Sequence, residues 1–107
     1  MSVMQADIVA IVNNDETYNF QITYGPAFLN LTGLTPTFYL KASRTALDNT
    51  AYQAAPTVTA PALGQMTITV PRAQFPAAGT MWYRVDVTNV SSQVNTVIMG
   101  VVTVLSA

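Results

Sequence analysis

Five carboxylates carry most of the reactive potential of this sequence: Asp7, Asp15, Glu16, Asp48 and Asp86. It contains neither His nor Cys. That removes the usual general base near neutral pH, the soft metal ligands and the common nucleophilic triads. A glycosidase would need two carboxyl groups facing one bond across a cleft. Asp15 and Glu16 are instead neighbours in "NNDET" (13–17), a composition that suits a turn. The same stretch is the one oxygen-rich cluster on offer to Ca²⁺, and it lacks the alternating Asp/Asn spacing of a calcium loop. The five glycines are scattered and form no phosphate cradle. Four basic residues, Lys41, Arg44, Arg72 and Arg84, are too few for a nucleic-acid footprint. We therefore expect no catalytic residue, no metal site and no cofactor.

What remains is recognition. In "GTMWYRVDV" (79–87) strand alternation places Met81, Tyr83, Val85 and Val87 on one face and Trp82, Arg84 and Asp86 on the other. The only Trp of the chain thus shares a face with two of its nine charges. Trp, Tyr and Arg dominate binding hot spots, so Trp82, Arg84, Tyr39 and Tyr52 are the candidate partner-interface residues. Tyr18, Phe20, Tyr24, Phe38 and Tyr83 fall on faces expected to point inward, where core packing is the simpler role. A face with no acid–base partner has no reading as an active site.

The elements that must position these residues are strands throughout. "QADIVAIV" (5–12) reads as a first strand, and 17–24, "TYNFQITY", alternates without a fault. Residues 35–43, "TPTFYLKAS", put Phe38, Leu40 and Ala42 opposite Tyr39 and Lys41. Residues 44–63 read as a long loop with a short edge strand at "TVTA". "GQMTITV" (64–70) alternates again, and the prolines of "PRAQFPAAG" bracket at most one helical turn. Residues 80–88 and 94–105 form two further strands joined by the polar connection "NVSSQVN". The last strand is apolar on both sides, with Gly100 marking a bulge or a close approach of another backbone. No segment of helical length shows a 3.6-residue period. The pattern predicts one domain, 1–107, in the all-β class: an antiparallel immunoglobulin-like β-sandwich of six to eight strands.

Composition bounds the surface. Half the residues are hydrophobic, yet only 8% are charged, against roughly 25% in an average soluble domain. The formal net charge is −1. Neutral, weakly charged surfaces associate, which favours a surface covered by partner subunits. Little charge also implies association that depends only weakly on salt. The N-terminus has no basic stretch before its apolar run, and no run approaches the ~18 residues of a membrane span. Folding in a cytoplasm is expected, so "NLT" at Asn30 and "NVS" at Asn89 are chance matches to the glycosylation pattern.

Four landmarks occur in order: "LNLTGLTPTFYLKAS" (29–43), "GQMTITVP" (64–71), "FPAAGTMWYRVDV" (75–87) and "NTVIMGVVTV" (95–104). Together they resemble small phage virion β-domains, in particular the immunoglobulin-like N-terminal domains of baseplate upper proteins and tail-fibre adaptors. The resemblance spans about three quarters of the chain and rests on order and spacing. Leu31, Thr32 and Gly33 match a strand entry, Gly79 and Tyr83 a turn and strand, and Gly100, Val102, Thr103 and Val104 the closing strand.

These are structural positions, and the family supplies no catalytic residue. The resemblance implies a non-enzymatic virion structural protein, made in the host cytoplasm and located in the virion. In adaptors such a domain leads into a longer chain, whereas this sequence stops at Ala107. That departure is similar to free-standing head decoration, or cement, proteins. A capsid decoration subunit bound to the major capsid protein is therefore the first expectation. A tail-fibre or baseplate adaptor bound to a tail or baseplate protein is the second. A carbohydrate or cell-surface module, with Trp82, Tyr39 or Tyr52 stacking on sugar rings, is the third. A homo-oligomer, with a trimer as the guess borrowed from virion symmetry, is expected; nucleic acid and membrane are not.

Overall fold

Alternating apolar residues can bury one face of a strand only if a second layer covers it. The computed structural model, which describes residues 3–45, 47 and 51–106, shows two sheets meeting in this way. Among the described residues there are eleven strands: β1 (Met4–Gln5), β2 (Ile8–Ile11), β3 (Glu16–Gln21), β4 (Thr23–Tyr24), β5 (Ala27–Phe28), β6 (Thr35–Lys41), β7 (Tyr52–Ala54), β8 (Thr57–Ala60), β9 (Gln65–Val70), β10 (Gly79–Thr88) and β11 (Val94–Leu105). Eight have three or more residues. The other three are two-residue pairings that periodicity cannot reveal.

The larger sheet runs β1–β11–β10–β6–β7, with β2 pairing further along β11. The smaller runs β3–β9–β8, and β4 with β5 forms a separate hairpin. Phe20 and Met66 from the small sheet join Phe38, Tyr83, Val85 and Val102 from the large one in a single buried cluster. Tyr83 ties the layers together: its ring stacks 5.7 Å from Phe20 and 5.9 Å from Phe38. Each such fully buried large apolar side chain contributes about 1.5–3 kcal/mol by leaving water. The fold is an all-β sandwich, as the alternation predicts.

Two departures have clear causes. The expected first strand, 5–12, is cut in two at Ala6–Asp7, and both pieces pair with β11 in parallel rather than antiparallel fashion. At the cut, Ala6 N–H still donates to Met99 O (3.1 Å), while Val101 N–H turns to the Asp7 carboxylate (3.1 Å). Second, Tyr24 is not core but half exposed. Its strand ends at Gln21. Ile22 then completes the core through backbone bonds with Gly64 and Leu29, and the chain reverses at Gly25, whose φ of 62° suits glycine. Tyr24 lies beyond the edge of the sandwich.

The outer edge of β2 is closed by side chains of the small sheet. Ile11 N–H donates to Glu16 (2.9 Å), and the Tyr18 hydroxyl donates to Val9 O (3.0 Å). Unpaired edge groups invite another strand, and these two contacts occupy them. Asp15 accepts the Arg72 backbone N–H (2.7 Å) and its guanidinium (3.1 Å). Those hydrogen bonds hold the Asp15 carboxyl below its ordinary range. Asp15 and Glu16 thus serve the turn, as their spacing implies, and Asp48 lies outside the described residues.

Candidate functional site

A groove of about 310 Å³ crosses the outer face of the large sheet, and its position follows from strand register. Trp82 lies opposite Val101 on β11 and Lys41 on β6; Arg84 lies opposite Met99 and Tyr39. Asp7 and Gln5 extend these two rows from the N-terminal arm, and Arg44 closes the rim. Four neighbouring strands therefore each contribute outward residues to one surface.

A bulge sets the depth of its floor. Val85 pairs with Ile98, but the next residue, Asp86, pairs with Thr96, so β11 carries one extra residue there. Val97 and Ile98 both turn inward and are buried, which accounts for an apolar character on both sides of this strand. The shift also brings Thr96 beside Asp86, and its hydroxyl donates to the carboxylate at 2.7 Å. Gly100 is the close approach and not the bulge: a Cβ there would collide with the Ala6 carbonyl.

Asp86 is only 5% exposed although it belongs to the outer face. Arg84 covers it, with Nε 3.1 Å from both carboxylate oxygens. The same guanidinium sits 4.2 Å over the centre of the Tyr39 ring, so it is held by charge and by the ring face together. Trp82 is half-buried beside them. Its indole N–H is sealed from solvent and finds no acceptor among the described residues.

Of the four candidate residues, Trp82, Arg84 and Tyr39 meet in this groove. Tyr52 does not. It pairs with Leu40 on β7, which places it on the inward side, partly buried against the core. Residues that periodicity did not single out complete the site. Lys41 and Arg44 are visible in the sequence only as scattered charges, and Asp7 reaches the groove because the arm runs alongside β11 in parallel. Among the described residues, five charged side chains, three of them cations, are at or beneath this one groove.

No family model matches the chain, and no curated protein sequence matches it. Thirteen solved chains do resemble it in three dimensions. One is the N-terminal domain of ORF48 of phage TP901-1, with a TM-score of 0.61 over 95% of this chain and 98% of that one. The two share a fold. Identity between them is 11%, so the likeness carries architecture and no residue roles.

Within this fold, Tyr83 links the site to the arm. Its hydroxyl donates to the Ala6 carbonyl at 2.6 Å. Burial, reinforced by the nearby Asp7 charge, pushes the Tyr83 phenol up to about 12, and burial with Glu16 does the same for Tyr18. A raised phenol means the folded state holds its proton more tightly than the unfolded chain. This stability is complete below the ordinary value of 10.0 and is lost as pH climbs through about 12. The melting temperature should accordingly hold up to pH about 10 and fall above it. In Tyr83→Phe the fall should be shallower; an unchanged slope would mean Tyr83 ionises without opening the arm.

Among the described residues, no group of three or more His, Cys, Asp or Glu side chains comes together to hold a metal ion. Among the described residues, no helix is long and apolar enough to cross a membrane. Arg84 occupies one face of the Tyr39 ring, so on that side a sugar would meet a guanidinium instead of an aromatic platform. Exposed apolar side chains flank the groove along β11 and β2, namely Met99, Leu105 and Val9.

Proposed function

We propose that this chain is a non-enzymatic bacteriophage virion structural domain. In this reading it docks onto another virion protein through the outer face of its six-stranded sheet, and it acts as an anchoring or adaptor domain of the tail-fibre or baseplate kind. The likeness across nearly the whole chain to an N-terminal domain of a phage protein carries the proposal. It agrees with the landmark order from Leu29 to Val104. Capsid decoration, the first expectation from the sequence, gains no observation of its own from the fold and is kept as the alternative outcome.

The mechanism is mechanical. Met99, Leu105 and Val9 supply apolar area worth about 25 cal/mol per Å² when covered. The aromatic and ionic groups of the groove fix orientation, and symmetric repetition multiplies modest contacts.

The test is co-sedimentation of the purified domain with isolated tails and with isolated capsids of the phage that encodes it. Binding to tails supports the adaptor reading, binding to capsids alone replaces it with decoration, and binding to neither overturns the virion role. Trp82→Ala should weaken particle binding about tenfold or more, as hot-spot truncations do. Trp82 is half-buried on the outer face and lies outside the buried core cluster, so its circular dichroism spectrum should remain native. An unfolded variant would place Trp82 in the core.

A further inference from the structure

We infer that β3 is a self-association edge. Two copies of this chain pair their β3 strands antiparallel about a two-fold axis at Asn19, joining two three-stranded sheets into one. The contact uses a different surface from the Trp82 groove and does not rest on the virion role. An edge strand exposes unpaired N–H and C=O groups, and proteins blunt such edges by shortness, proline, bulges or covering side chains. Among the described residues every edge but one is treated in this way. β1, β4 and β5 have two residues each and β7 has three. β2 is capped by the side chains of Glu16 and Tyr18. β8 lies between Pro56 and Pro61 and carries a register shift between Val58 and Ala60. β3 has six residues, an unbroken register with β9, no proline, and no charge from Thr17 to Tyr24.

The open groups can be assigned. Ile22 and Gly64 continue the β3–β9 register, and Ile22 N–H donates to Gly64 O (2.8 Å). Tyr18 O also faces β9, where it accepts the Thr67 hydroxyl (3.3 Å). Even-numbered residues therefore turn their backbone groups to β9, and Thr17, Asn19 and Gln21 turn theirs to the open side. All three of these residues are exposed. Among the described residues β3 pairs with no strand but β9.

A second copy is the occupant this edge fits. With the axis at Asn19, Thr17 stands opposite Gln21 of the partner subunit and Asn19 opposite Asn19 of the partner subunit. The three outward positions then exchange about six backbone hydrogen bonds. On the inward side Tyr18 meets Phe20 of the partner subunit, an aromatic cross-strand pair. No like charges oppose each other. Glu16 faces Ile22 of the partner subunit and is already held by Ile11 N–H, and Asp15 faces Thr23 of the partner subunit and is held by Arg72. A net charge of −1 adds little long-range repulsion between copies. The contact closes at two copies, depends little on salt, and leaves the outer face of the large sheet open.

The test is sedimentation velocity of the full chain across a concentration series. A monomer–dimer equilibrium is expected, with a dissociation constant of about 10–100 µM as suits a small interface. Asn19→Pro spares the bonds to β9, because the Asn19 N–H faces outward, and should weaken the dimer about tenfold or more with native circular dichroism. The second test needs no proline. Asn19→Lys and Asn19→Asp, at an exposed side chain, should each weaken self-pairing, and an equimolar mixture should recover dimers because position 19 meets itself across the axis. A chain that stays monomeric to about 1 mM, a trimer, a dimer indifferent to a folded Asn19→Pro, or no recovery in the mixture would each overturn the inference. A dimer lost in Trp82→Ala would do the same, by placing the contact on the outer face. The two proposals fail separately. Particle binding by a strictly monomeric chain would sink the edge pairing and leave the docking role, and dimers without particle binding would do the reverse.

Discussion

Replacing Gly100 with Ala is expected to cost about 3 kcal/mol and lower the melting temperature by about 15 °C. The added Cβ would collide with the Ala6 carbonyl and press on Tyr83 Cε1 at 3.1 Å. The first obstacle is backbone, so no rotamer change relieves it, and trimming the Ala6 side chain would not help. The arm must move instead. Moving it breaks the Ala6–Met99 and Tyr83–Ala6 hydrogen bonds and loosens the parallel ladders of β1 and β2 with β11.

Gly33→Ala is the control. Its φ of 78° is strained for alanine, but nothing lies within 4 Å of the new Cβ, so the cost should stay at about 1 kcal/mol. Thermal melts of both variants, with hydrogen exchange over Ile8–Ile11, check the contrast. Equal losses, or intact protection of β2 in Gly100→Ala, would show that the arm is not held by this close approach.

The same region marks the boundary of what the sequence discloses. Alternation locates β6, β9, β10 and β11, and the start of β3, to within a residue or two, because each buries one face and period two is then compulsory. It does not reveal that 5–12 splits at Asp7, since an apolar run keeps its look whether or not a side chain replaces one ladder bond. It also extends the strand of Phe20 through Tyr24, because the departure at Ile22 depends on distant Gly64. Tyr52 stands beside a segment without periodicity, and only its pairing with Leu40 decides which way it faces.

The site divides along the same line. Trp82, Arg84 and Asp86 share a face by local geometry, and Tyr39 and Lys41 share one by the same rule. That the two faces are one surface follows from the β6–β10 register, a contact between residues more than forty apart in the chain. The bulge at Val97 and Ile98, which seats Asp86 against Thr96, is equally non-local. Alternation predicts an outward Asp86, and only the covering Arg84 makes it a buried carboxylate.

That buried carboxylate yields the second large effect. Asp86→Ala should destabilise by about 3 kcal/mol, since it leaves Arg84 without its counter-charge and the Thr96 hydroxyl without its acceptor. The Arg84 side chain keeps 23% of its exposure, and that residual hydration holds the loss below the upper values for sealed pairs. Replacing all three partners together, Arg84→Met, Asp86→Val and Thr96→Val, should return stability to within about 1 kcal/mol of native, because apolar groups of similar size need no compensation. Urea melts of the single and triple variants measure the difference.

If the pair exists for stability, the triple variant will stay as weak as Asp86→Ala. If it exists to hold a cation over Tyr39 for docking, the triple variant will fold well and lose particle binding. The second result is expected. A chain with nine charges has little electrostatic reason to bury two of them on an outer face unless that face recognises something.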